Sequence, residues 1–239
     1  MIFMEKEYLT IKENLDIINE NIEQACKNVG RKNDVILLGA TKMNSADRIN
    51  CAISHGLKYI GENKVQELLE KYDGINREEV TIHFIGHLQS NKVKYIIDKV
   101  DMIQSLDSLS LAKEINKQAQ KHNLKMKVLV EINAGMEESK SGVSPDRVEE
   151  FLREVSKLEN IQVVGLMAIP PIMTDKYTQR KIFKEIYKIF IDISQKSIHN
   201  ISMTYLSLGM SDDYSLAVEE GANLVRVGSA LFGRRNYSK

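Results

Sequence analysis

The chain has 239 residues, enough for one large domain or two small ones, and a barrel of strands and helices commonly runs to about this size. Its 33 basic residues balance 33 acidic ones, so no global field draws it to nucleic acid or to an anionic membrane, and any anion site must be local. Cys26 and Cys51 are the only cysteines and form no CxxC pair, which argues against a disulfide framework and a zinc site and for a reducing, cytoplasmic setting. The opening Met1-Ile-Phe-Met-Glu-Lys lacks a leader's apolar core, and no later stretch approaches a membrane span.

Ile11, Leu15, Ile18, Ile22, Cys26 and Val29 recur at helical spacing and stop at Gly30, which predicts an N-terminal amphipathic helix with a glycine C-cap. A strand over 35–42 follows, then a helix over 45–55, a strand over 59–63 and a helix over 65–72. Further strands are expected over 83–87, 102–107, 128–133, 163–169, 205–209 and 224–229, with helices over 108–122, 145–158, 175–194 and 212–220. Eight strands alternating with helices, without hairpin signals, predict a single (β/α)8 barrel of parallel strands with an extra N-terminal helix. No linker divides the chain, so residues 1–239 read as one domain. The competing open, doubly wound sheet would carry a GxGxxG after its first strand, and none is present.

In such a barrel the active site gathers at the carboxyl ends of the strands. Those ends are polar here: Thr41-Lys42, Glu62-Asn63, Gly86-His87, Leu106-Asp107, Ile132-Asn133 and Gly228-Ser229. Lys42 is the only amine among them, and a desolvated lysine is a candidate nucleophile for a carbonyl group. The plainer reading is that Lys42 is a solvated strand stop and that Asn63, Asp107 and Asn133 cap the next helices.

Leu206-Ser-Leu-Gly-Met-Ser-Asp-Asp213 and Val225-Arg-Val-Gly-Ser-Ala-Leu-Phe-Gly233 supply glycines, hydroxyls and backbone N–H groups in the loops after strands seven and eight, a frequent phosphate site in these barrels. Ordinary capping by Ser211 would look the same. Arg226 shares the strand parity of Gly228 and should point into the interior, toward either a carboxylate or a cofactor's ring nitrogen. A Schiff-base lysine, a phosphate cradle and an arginine for a ring nitrogen together describe pyridoxal 5′-phosphate.

Lys42, Gly61-Glu-Asn-Lys-Val-Gln-Glu67, His83-Phe-Ile-Gly-His-Leu-Gln-Ser-Asn-Lys92, Ser139-Lys-Ser-Gly142, Gly165-Leu-Met-Ala168, Ser207-Leu-Gly-Met-Ser-Asp212 and the segment from Val225 to Gly233 resemble the YggS/PROSC family of pyridoxal phosphate homeostasis proteins, similar to the barrel domain of alanine racemase. The resemblance implies an internal aldimine at Lys42 and a phosphate held by Ser207, Gly209, Met210, Ser211, Gly228 and Ser229. It implies Arg226 at the ring nitrogen and Asn63, His87 and Met167 lining the ring pocket. The stretch Ala40-Thr41-Lys42-Met43-Asn44 departs from the family's usual Ser-Lys-Thr-Lys-Pro-like pattern, and Ser229 stands where threonine is commoner.

Racemases similar to this barrel carry a second, β-rich domain and use a tyrosine of the partner subunit as second acid/base. The chain ends at Lys239 without residues for that domain, so the expected role is a cofactor carrier that serves intracellular vitamin B6 homeostasis, with apo-forms of pyridoxal phosphate enzymes as recipients. The expected state is a monomer. An amino-acid racemase or related enzyme is the alternative, and a barrel aldolase using Lys42 is a remoter one. Tyr205 and Tyr214 near the rim read as packing residues, and Lys140, after strand five, as either a solvated loop lysine or a residue that receives cofactor during transfer.

Overall fold

The computed structural model of the chain describes residues 2–135, 141–171 and 175–233, with side chains from residue 10 onward. Lys140 therefore lies outside the described residues. Eight parallel strands close a barrel in sequence order: β1 (Ile36–Ala40), β2 (Tyr59–Glu62), β3 (Thr81–Phe84), β4 (Met102–Leu106), β5 (Met126–Ile132), β6 (Ile161–Ala168), β7 (Ile201–Ser207) and β8 (Leu224–Val227). Around them run α1 (Ile2–Asn28), α2 (Ala46–Ser54), α3 (Val65–Lys71), α4 (Leu109–Lys121), α5 (Val148–Val155), α6 (Lys176–Ser194), α7 (Tyr214–Glu219) and α8 (Ser229–Phe232). Only a 3-10 segment, Ser90–Tyr95, stands between β3 and β4.

The expected N-terminal helix is present and buries Ile11, Leu15, Ile18, Ile22 and Cys26, whereas Val29 lies past its end and is exposed. Gly30 stops it at φ +65°, where Arg31 N–H bonds Cys26 O and Gly30 N–H bonds Lys27 O. This is a Schellman arrangement, and a side chain at Gly30 would strain that left-handed backbone. The helix packs on α7, α8 and α2. Asn14 donates to Leu231 O and Asn21 to the Tyr214 hydroxyl, so α1 braces the elements that follow β7 and β8.

Alternation along each strand makes two separate packings. Outward residues such as Ile60, Phe84, Ile103, Val128, Leu166 and Val225 join the helices in one continuous core. Inward residues Met102, Leu129, Val164 and Met167, with Tyr205, fill the barrel's interior. Burying each such side chain is worth about 1.5–3 kcal/mol, so the shell and the plug together hold the strand ends in place. Gly165, at a register shift in β6, would bring a Cβ within 1.8 Å of Tyr205 O, so only glycine lets β6 lie this close to β7.

Several expected boundaries move, among them the third strand, which runs over Thr81–Phe84 and not 83–87, and the seventh, which runs over Ile201–Ser207 and not 205–209. The first strand ends at Ala40, although Thr41 N–H still bonds Gly61 O at 2.9 Å, so Lys42 sits in a turn two residues beyond β1. The last strand ends at Val227, and Ser229 opens the short helix α8. The helix expected over 212–220 begins at Tyr214, because the Asp213 carboxylate and the Met210 carbonyl first close a tight turn.

Candidate functional site

The turn carrying Lys42 is held from outside the sheet. Lys71, at the end of α3, donates to Thr41 O at 3.0 Å and to Asn44 O at 3.1 Å, bracketing Lys42. The same ammonium pairs with Glu62 Oε1 at 2.6 Å, and the Thr41 hydroxyl also reaches that oxygen. Glu62 is fully buried, and burial raises its pKa despite Lys71 and Thr41. Glu67 accepts Met43 N–H at 2.7 Å, and Asn44 donates to Lys42 O at 3.1 Å. Met43 is left-handed at φ 60°, a strained conformation for a side chain larger than glycine's, and its side chain is exposed. Lys42 itself is half-buried.

Across the β1–β8 seam, Leu38 lies opposite Arg226, and a Cβ on Gly228 would stand 3.3 Å from Ala40 O. The Lys42 turn and the loop after β8 are therefore neighbours. In that loop the Ser211 hydroxyl accepts Gly228 N–H at 3.1 Å and Ala230 N–H at 3.2 Å. Ser211 thus bridges the loops after β7 and β8 and does not cap α7, whose N-cap position is Asp213. Gly209 has φ +85°, and a Cβ there would fall 2.6 Å from Ala217 Cβ, so glycine is required on two counts. Met210 N–H is bonded by Asp213 Oδ1 at 2.7 Å. Ser229 is exposed at the start of α8.

Arg226 is buried, and it donates to Ser207 Oγ at 2.6 Å, Ser207 O at 2.8 Å and Ala168 O at 2.9 Å. Its hydrogen-bond acceptors are neutral oxygens, so the carboxylate alternative does not hold for direct contact. Burial pulls its pKa down to about 10, opposed by the more distant charges of Glu131 and Asp213. Glu131 and Asp213 are both raised, chiefly by burial.

The remaining expected residues divide. Asn63 follows β2, and its Oδ1 is buried without a hydrogen-bond partner, while the N-cap position of α3 belongs to Lys64. A partnerless acceptor at the rim is costly unless something supplies a donor. Met167 is fully buried in the interior plug below the rim. His87 is largely exposed and pairs with Asp107 at 3.3 Å, so Asp107 serves His87, and the cap of α4 is Ser108. Tyr214 is buried and bonded to Asn21, and Tyr205 packs on the interior plug, both as expected.

Lys71, His83 and Gln104 escaped the sequence reading of the site, and Glu62 entered it only as a polar strand end without a role. His83 and Gln104 carry a detectable signal, because each is polar at an inward position of an otherwise apolar strand, where burial demands a partner. Lys71 carries none, since a lysine in the last turn of a helix is ordinary.

Residues 14–236 match the family model described as alanine racemase, N-terminal domain. A pyridoxal phosphate homeostasis protein of Aquifex aeolicus is 42% identical over 226 residues, which cover 94% of this chain and 98% of that relative. The chain belongs to the pyridoxal phosphate homeostasis protein family. A crystal structure of an unknown protein from Bifidobacterium adolescentis superposes with a TM-score of 0.91 at 32% identity, covering 95% of this chain and 96% of the other. The structure of PipY from Synechococcus elongatus with pyridoxal phosphate bound superposes with a TM-score of 0.82 at 29% identity, covering 93% of this chain and all of the other (100%). The barrel and the family expected from sequence thus hold. Among the described residues no helix is long and apolar enough to cross a membrane, and no cluster of His, Cys, Asp and Glu could hold a metal ion.

Proposed function

We propose that this chain binds pyridoxal 5′-phosphate at the carboxyl end of its barrel, holds it as an aldimine on Lys42, and serves vitamin B6 homeostasis as a carrier. The observation that carries this reading is the meeting of three kinds of group beside one seam. An amine stands on a pinned turn at Lys42, backbone N–H groups of Gly228 and Ala230 converge on the Ser211 hydroxyl, and a buried guanidinium at Arg226 has N–H groups to spare.

The donor set fits the cofactor. A phosphate suits converging N–H groups and hydroxyls at the start of α8 and in the loop after β7. The unpartnered Asn63 Oδ1 offers an acceptor on the Lys42 side. When bound, the cofactor supplies an aldehyde carbon that an uncharged amine can attack. The chain's own part is to hold: Lys71 and Glu67 fix the backbone on both sides of Lys42, Ser211 ties the two phosphate loops together, and the Met102–Leu129–Met167 plug closes the barrel below. Arg226 stays charged near neutral pH, and a permanent cation facing a ring nitrogen keeps that nitrogen unprotonated and the ring a weak electron sink. That favours storage over catalysis. The site residues so assigned are Lys42, Asn63, His87, Met167, Ser207, Gly209, Met210, Ser211, Arg226, Gly228 and Ser229, within a single cofactor-binding domain, residues 1–239. The carrier acts as a cytoplasmic monomer, with apo-forms of pyridoxal phosphate enzymes as recipients.

The test is borohydride reduction of the protein loaded with pyridoxal phosphate, followed by peptide mapping. The reading expects the reduced adduct on Lys42. An adduct confined to other lysines would contradict it, and sustained racemization of amino acids by the loaded protein would replace carriage with catalysis.

A further inference from the structure

Within the barrel, alongside its apolar plug, a line of hydrogen bonds crosses from β8 to β3. Arg226 Nη1 donates to Ser207 Oγ at 2.6 Å, Ser207 Oγ donates to Gln104 Oε1 at 2.7 Å, and Gln104 Nε2 meets His83 Nδ1 at 2.8 Å. All four residues are buried, with Gln104 and Ser207 at 0% exposure. The direction of the line follows from its first member. A guanidinium can only donate, so Ser207 Oγ accepts there and has one proton to place. Gln104 Oε1 takes it, which turns the amide nitrogen toward His83 and requires a bare Nδ1. The imidazole proton then sits on Nε2. A flipped Gln104 amide would leave the hydroxyl proton without an acceptor, which is costly in a buried site.

Plain packing does not call for this arrangement. Beside the line, Met102 is the register partner of His83 and Met167 that of Ser207, and with Leu129 and Val164 they fill the interior with apolar side chains, among which an amide and an imidazole are tolerated only when their bonds are made. The line ends on Arg226, three of whose five N–H groups are committed to Ser207 and Ala168. Those three bonds set which way its Nε–H and second Nη2–H face.

We propose that Gln104 and His83 are positioning residues for the cofactor site: through Ser207 they fix the rotation of the Arg226 guanidinium, and with it the donors offered to a bound pyridine ring. The inference rests on the reading of the site as a pyridoxal phosphate site. Other charges facing the line are Glu131 of β5 and Asp213 before α7 toward Arg226, and Lys127 of β5 toward His83. The Tyr59 ring lies edge-on to His83, with centroids 5.9 Å apart.

Two variants separate positioning from packing. Gln104→Met keeps volume and removes both bonds, whereas Gln104→Glu restores the acceptor for Ser207 and obliges His83 to carry its proton on Nδ1. With pyridoxal phosphate loaded, Gln104→Met should keep the parent's far-ultraviolet dichroism, release cofactor about tenfold faster on dilution as the Arg226 bond to the ring weakens, and show a visible band that shifts with pH. Gln104→Glu should recover the parent's release rate and its pH-independent band. The inference is overturned if the Met variant matches the parent, or if the Glu variant behaves no better than the Met variant. Nitrogen-15 resonances of His83 in cofactor-free parent should show a proton on Nε2 alone, and a proton on Nδ1 there would overturn the direction of the line. A parent that takes up no pyridoxal phosphate sinks the functional reading and this inference together. A parent that binds it, with an unaffected Met variant, sinks the inference alone.

Discussion

Two polar networks flank the candidate site, one on each side of the sheet, and they fix different things. Behind β1 and β2, Lys71, Glu62, Glu67 and Thr41 grip the backbone on both sides of Lys42. Inside the barrel, Ser207, Gln104 and His83 grip a side-chain head, the Arg226 guanidinium. The first network is built on a buried ion pair, the second on neutral acceptors around one cation. An amine that must form and break a bond needs an anchored turn and a mobile chain, while a group that sets a ring's electronics needs its head immobile. The difference lies in what each site residue has to do.

The largest effect should come from breaking the outer network at its charge. Lys71→Met strips the partner from buried Glu62 and the donor from two carbonyls, so urea unfolding should report a loss of about 3–5 kcal/mol. The double variant Lys71→Met/Glu62→Leu should regain most of that stability, yet still trap cofactor on Lys42 more slowly than the parent. A loss below about 1 kcal/mol in the single variant would mean that the pair is not closed in solution.

The inner network should show itself in acid. His83 has a pKa of about 3 in the fold against an ordinary 6.5, because burial and Lys127 disfavour its charge. The unfolded chain therefore binds more protons between those values. Stability is complete above pH 6.5 and drains away as pH falls toward 3, by about 1.4 kcal/mol per unit, or about 2 kcal/mol by roughly pH 5. In His83→Asn, whose amide oxygen can accept from Gln104 without titrating, this segment of the stability curve should flatten. An unchanged slope would assign the acid sensitivity to carboxylates that their partners hold low, Glu149, Asp175 and Glu219 among them.

The smallest effect concerns the strain stored beside Lys42. Met43→Gly should relieve the left-handed backbone at φ 60° and add about 1 kcal/mol of stability at most, read as a slightly higher melting temperature, since its exposed side chain gives up little packing. A lower melting temperature would show that the thioether contributes packing that outweighs the strain.

Much of this was legible in the sequence. The apolar runs and the helical spacing between them gave the strand count, the closure and the N-terminal helix, since burial on alternating faces leaves a direct mark on residue order. Polar ends on apolar strands marked the rim. What was illegible depended on contacts between distant elements. Nothing local says that Ser211 would tie two loops together and not cap its own helix, or that Lys71 would reach back over a turn thirty residues earlier. The Lys42 boundary moved for a related reason: Thr41 continues the ladder by one bond, but Lys71 and Glu67 then fold the chain into a turn that composition does not signal. His83 and Gln104 were visible as inward polar residues, but their shared purpose appeared only when β3, β4, β7 and β8 closed on one another.

The most direct test of the account is a crystal structure of the protein grown with pyridoxal phosphate. Continuous density should run from Lys42 Nζ into the ring, the phosphate should replace the Ser211 hydroxyl as acceptor for the Gly228 and Ala230 N–H groups, and the Arg226 guanidinium should face the ring nitrogen while still bonded to Ser207. A cofactor joined to another lysine, or an Arg226 turned away from the ring with its Ser207 bond broken, would contradict it.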